Sequence, residues 1–144
     1  MWVIFAILAS VVWGLDYVFA EKLVRKISVS SFIALELFFG FLIALITAIY
    51  SNSFKKDFVA VGSSRQLLTL LILGIVSFTA GNFLILNSIA SKNATLAGMV
   101  EISYPIFIAI FAYLLFKENQ LNLATAIGGL LIFAGVFVIY YFNR

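Results

Sequence analysis

The chain is a succession of long apolar runs separated by short polar intervals. About 20 helical residues, each rising roughly 1.5 Å, are needed to cross about 30 Å of hydrocarbon. Five runs reach that length, at about residues 2–22, 31–51, 66–90, 94–116 and 121–141. Unpaired backbone groups cannot face lipid, so each run must close its hydrogen bonds within itself, as a helix. The pattern therefore predicts an all-α, polytopic membrane protein: one domain over residues 1–144 with five transmembrane helices. In lipid, a high content of β-branched and aromatic residues is no argument for strands.

The intervals are short. Val24–Ser30 joins the first two helices, and Asn52–Arg65 is the longest expected loop, carrying Lys55, Lys56, Asp57 and the turn cluster Gly62-Ser63-Ser64. Ser91–Asn93 and Lys117–Gln120 read as tight turns, which makes their flanking helices antiparallel neighbours. Trp2, Tyr50, Tyr140 and Tyr141 fall near run ends, where interfacial aromatics belong. No Lys or Arg precedes the first run, which is also longer than a typical signal-peptide core, so a retained span is expected there.

Composition reinforces the pattern. Of 144 residues, 65% are hydrophobic and only 10% charged, with a mean hydropathy of +1.19. Soluble domains carry about 25% charged residues, so this chain lacks the polar groups to coat a water-facing surface. It contains no cysteine and no histidine, which removes thiol and imidazole chemistry and zinc-type sites. No nucleophile–base pair or metal cluster is legible, so the chain is read as no enzyme, with no cofactor and no metal. The net charge of +3 carries no nucleic-acid footprint, because the basic residues sit mostly at run ends.

Those positions are a topology signal. On the side of the N-terminus, side A, lie Lys55, Lys56, Arg65 and Lys117; on side B lie Lys22, Arg25, Lys26, Lys92 and Arg144. Four against five leaves almost no positive-inside bias. Either local effects choose one orientation, or chains insert both ways and pair antiparallel, as a single-repeat transporter would need for a symmetric pathway.

Three carboxylates lie within the apolar runs: Asp16, Glu36 and Glu101. A charged group at mid-helix costs about 2.5–3.5 kcal/mol on insertion scales, and less near an end. Counted from the side-B ends of their runs, all three fall at a depth of roughly 8–10 Å. At 100° per residue Asp16 shares a face with Ala9, Trp13 and Ala20; Glu101 with Ala94, Ala97, Gly98, Pro105 and Ala112; Glu36 with Gly40, Ile43 and Thr47. Small residues mark helix contact or a cavity wall, so each acid is expected to point into the bundle. Two readings stand. The acids form a vestibule for a cation or proton, or they pair with the snorkelling stems of Lys22, Arg25, Lys26 and Lys92.

Other polar and aromatic residues are weaker signals. Asn82 and Thr79 share a face of the third run and serve either a substrate or helix–helix contact. Trp13 and Tyr17, one turn apart, make an aromatic wall or simple packing, and Tyr104 is open to the same two readings. Pro105, the only proline, sits within the fourth run, where it removes a backbone hydrogen bond and implies a kink, either static or used in gating.

These residues resemble a known family. Trp13-Gly14, Ala90, Ala94-Thr95-Leu96-Ala97, Tyr104-Pro105-Ile106, Lys117-Glu118 and the stretch Ile127-Gly128-Gly129-Leu130-Leu131-Ile132-Phe133-Ala134-Gly135-Val136 look like one EamA-type repeat of the drug/metabolite transporter superfamily. The usual members carry two such five-helix repeats, inverted relative to each other. The resemblance implies that a second copy supplies the inverted repeat, as an antiparallel homodimer. The smaller relatives, the small multidrug resistance proteins, have four helices and one membrane acid in the first; Asp16 resembles that acid in role but not in position, so drug export is not carried over. Many EamA-type relatives have a small uncharged polar residue near the position of Asp16, so the family does not vouch for the acids. Glu118 is expected to end the fourth helix and pair locally or cap the next, and the charge-free fifth helix to meet the partner.

The expected function is a transporter of a small-molecule solute, proton- or cation-coupled, working by alternating access in the lipid of a prokaryotic (inner) cell membrane. Its candidate binding residues are Trp13, Asp16, Tyr17, Glu36, Asn82, Glu101 and Tyr104, with Pro105 as the gating position. The alternative is a non-transporting membrane subunit, or a lipid flippase-like partner of a heteromer.

Overall fold

The computed structural model describes residues 1–143, so Arg144, counted above on side B, lies outside the described residues. The described chain is helical, in the order α1 (Trp2–Val24), α2 (Val29–Tyr50), α3 (Phe54–Ser63), α4 (Arg65–Ser91), α5 (Ala94–Glu101), α6 (Tyr104–Phe116) and α7 (Leu123–Phe142). Five spans are long and apolar enough to cross a bilayer: α1, α2, α4, α7 and the composite Ala94–Phe116 formed by α5 and α6. The molecule is an integral membrane protein of the polytopic all-α class.

Helix ends are set by local chemistry. Ser28 caps α2 by accepting the amide N–H of Ser31, and Asn93 caps α5 by accepting that of Leu96 at 2.8 Å. Asn122 and Thr125 form a reciprocal capping box at the start of α7, which satisfies two orphan donors together. Glu118, expected to pair locally or to cap this helix, pairs locally: its carboxylate accepts from Gln120, and its backbone N–H goes to the carbonyl of Ala112. Lys117 adopts the left-handed conformation at φ 60°, which closes α6.

Two features depart from the expected layout. The interval read as a loop, Asn52–Arg65, contains α3, a ten-residue helix. The run 94–116, expected as one kinked helix, is instead interrupted at Ile102 and Ser103. Pro105 explains the break, since it has no N–H to give the carbonyl of Glu101, four residues earlier. The turn tightens in compensation: Ser103 N–H bonds the Val100 carbonyl and Ile106 N–H bonds that of Ser103. Pro105 then lies in the first turn of α6, where a missing donor leaves no intrahelical bond unmade. Pro105→Ala is accordingly expected to change stability by less than about 1 kcal/mol, whereas a true mid-helix proline costs about 3 kcal/mol. Thermal unfolding in detergent checks this, and a gain of many degrees would place the proline inside a strained helix.

The chain divides into two compact units, one of Met1–Phe19 with the chain from Ser91 onward, the other of Ala20–Ala90. In the first, the buried residues are Ala94, Ala97, Ala109 and Ala112, and α5 packs on α7. In the second they are Ala20, Phe32, Ile33, Leu86 and Ile89. Large aliphatic and aromatic side chains such as Ile4, Val11, Leu84, Leu130 and Phe137 face outward. That distribution suits lipid, where helices associate through small residues and close packing.

Candidate functional site

The first unit gathers most of the candidate residues around the interruption between α5 and α6. Glu101 is the last residue of α5. The Tyr17 hydroxyl, carried by α1, donates a hydrogen bond to Glu101 Oε2 across 84 positions of sequence. Both side chains are half-buried, as is Asp16 beside Tyr17. Trp13, one turn earlier on α1, meets the Tyr17 ring edge-on with centroids 6.1 Å apart and planes at 68°. Trp13, Tyr17 and Glu101 are thus linked in one constellation, with Asp16 next to Tyr17 in the chain and Tyr104 at the start of α6.

Close approach of the helices is what allows it. A Cβ on Gly98 would lie 3.3 Å from Cδ2 of Tyr17, so the ring packs over the bare backbone of α5 one turn before Glu101. Gly129 plays the same part between α6 and α7, where an added Cβ would lie 3.2 Å from Cγ1 of Ile106. Gly98→Val puts two further carbons into the Tyr17 ring and must displace it. Overpacking of this kind costs about 1–3 kcal/mol. The expected result is a lowered Tm, with altered near-ultraviolet circular dichroism from the Trp13–Tyr17 pair. An unchanged near-ultraviolet spectrum would refute that packing.

Within this unit, among the described residues, neither Asp16 nor Glu101 forms a salt bridge. Lys92 donates its Nζ to the Asn143 carbonyl at 3.2 Å, and Lys117 sits over the Tyr113 ring, 5.6 Å from its centroid. In the second unit Glu36 is half-buried on α2, and Arg25 is paired with Glu21 at 2.6 Å. Asn82 is half-buried on α4 and donates its Nδ2 to the Phe78 carbonyl of its own helix at 2.9 Å. The sequence placed Tyr17 and Glu101 in one set of candidates but carried no sign that they bond. Their link is long-range and depends on how α1 and α5 pack.

An interrupted helix with an acid at the break, inside a chain of apolar spans, is the arrangement by which transporters expose backbone and charge to a solute. The EamA-like transporter family model matches residues 1–141. The chain belongs to the EamA-like transporter family. No curated protein and no solved structure matches it. The EamA-like assignment makes it a membrane transporter of small solutes.

Proposed function

We propose that this EamA-like protein carries a small polar or cationic solute by alternating access, and that two copies pair antiparallel to build the pathway. The observation that carries the reading is the Tyr17–Glu101 hydrogen bond at the α5–α6 break. A carboxylate at an interrupted helix can exchange a protein donor for a solute donor or a proton without leaving lipid-exposed groups unsatisfied. Trp13 and Tyr104 give such a site apolar and π-rich walls, and cations are drawn to aromatic faces. Asp16 adds negative charge beside the same hydroxyl. Glu36 and Asn82 are proposed as further contacts of the pathway.

Pairing is supported by the near-equal basic counts on the two sides and by the charge-free α7, which leaves Leu130 and Phe137 exposed. An inverted second copy supplies the arrangement that two-repeat members contain in one chain. The prokaryotic inner membrane is the proposed location. The test is a proteoliposome screen of labelled amino acids, nucleosides and organic cations, with and without an imposed pH gradient. Saturable uptake of one class is expected. Uptake no higher than in protein-free vesicles across the whole panel would point to a non-transporting subunit.

A further inference from the structure

The second unit contains a feature that the proposed pathway does not include. Helix α3 has ten residues, too few to cross a bilayer, and it links the end of span α2 to the start of span α4. It therefore lies at the membrane–water boundary. Its composition fits that position: Phe54, Phe58 and Val61 recur on one side, while Lys55, Lys56 and Ser63 fall elsewhere around the helix. Such a helix rests in the headgroup layer with its apolar face down.

Beneath α3 is an open cleft of about 330 Å³. Its walls come from α3 (Phe54, Phe58, Val61) and from the neighbouring spans (Ala48, Leu68, Leu71), with Asp57 and Ser53 as its polar members. The rings of Phe54 and Phe58 stack at 6.1 Å, yet Phe58 remains 71% exposed. An apolar cleft open at headgroup level, with room for a stretch of hydrocarbon, matches the shape of a lipid tail. Lys55 and Lys56 do not line the cleft; at 100° per residue Lys55 falls beside Gly62, which does, and Lys56 lies farther round α3. Among the described residues neither lysine is paired with a carboxylate.

We propose that this cleft holds an acyl chain of an anionic phospholipid, whose phosphate lies against Lys55 with Lys56 adding to the local field. Charge complementarity selects the headgroup, since each lysine near an anionic membrane surface contributes about 1 kcal/mol, or roughly a fivefold factor in affinity. The apolar walls retain the tail. The site lies within the second unit and shares no residue with the Tyr17–Glu101 constellation.

The full chain, purified in mild detergent, is titrated with phosphatidylglycerol, phosphatidylcholine or water-soluble glycerol phosphate while thermal stability and lipid adducts by native mass spectrometry are followed. Phosphatidylglycerol is expected to bind and raise Tm, phosphatidylcholine to do so much less, and glycerol phosphate not at all. Lys55→Gln with Lys56→Gln should weaken phosphatidylglycerol binding on the order of tenfold or more. Gly62→Leu, which fills open space at the cleft, should weaken it while leaving far-ultraviolet circular dichroism unchanged. Equal response to the two lipids, an equal response to glycerol phosphate, or full phosphatidylglycerol binding by both variants would overturn the proposal. So would a stabilising shift with tetraphenylphosphonium that Asp57→Asn abolishes, because the acid would then define the site.

Discussion

Proteoliposomes carrying Glu101→Gln are expected to take up the transported solute at least about tenfold more slowly than the unaltered protein, with unchanged circular dichroism and gel-filtration profile. Glutamine keeps the volume of glutamate and still offers Tyr17 an acceptor, so packing is preserved. What it loses is the charge. A hydrogen bond to a charged partner contributes about 1.5–3 kcal/mol, which corresponds to roughly tenfold to a hundredfold in rate when the interaction belongs to the transport step. Tyr17→Phe removes the donor and keeps the ring over Gly98. It should give a smaller defect, and the double variant should be little worse than Glu101→Gln alone, because the two groups share one bond. Additive losses would mean that Tyr17 and Glu101 act separately. Uptake at the normal rate in Glu101→Gln would remove the α5–α6 break from the pathway.

Orientation should respond just as sharply to small changes in charge. A C-terminal fusion to a reporter active only inside the cell, and another to one active only outside, are both expected to give signal. Replacing Lys22 and Lys26 with glutamine leaves three basic residues on side B against four on side A. Replacing Arg65 with glutamine and Lys117 with asparagine leaves two on side A against five on side B. Asparagine suits position 117 because it tolerates the left-handed backbone found there. The second pair, which leaves a difference of three, should drive the reporters toward a single orientation, whereas the first, which only reverses a difference of one, should leave both reporters active, since short-loop lysines and arginines dominate insertion. Signal from one reporter alone in the unaltered chain would rule out dual insertion and, with it, the antiparallel pair.

The spans were legible because a bilayer leaves no alternative to a helix once an apolar run exceeds about 20 residues. Helix α3 was hidden for a physical reason. Lys55, Lys56, Asp57 and the Gly62-Ser63-Ser64 cluster resemble a water-facing loop, and only the spacing of Phe54, Phe58 and Val61 betrays a helix lying flat. Pro105 marked the right neighbourhood, but a sequence does not distinguish a bent helix from one that stops and restarts. That choice depends on whether Ser103 and Ile106 find carbonyls three residues back, as they do. The face shared by Glu101, Ala94, Ala97 and Ala112 was readable from the 100° step, and all three alanines are buried. The bond from Tyr17 to Glu101 was not readable, because periodicity describes one helix at a time.

The break in the fourth span is off-centre. Eight residues of α5 precede it and the thirteen of α6 follow it, so at 1.5 Å per residue it lies roughly 12 Å from one membrane face and about 20 Å from the other. In an inverted pair the two interruptions cannot coincide at the mid-plane. They would be staggered by roughly 8 Å along the normal, one nearer each compartment. Such a pair resembles a lock with two chambers more than a single revolving seat: a solute leaving one acid would still have a short climb to the other, and the two copies, identical in sequence, would never be in identical surroundings while one of them was loaded.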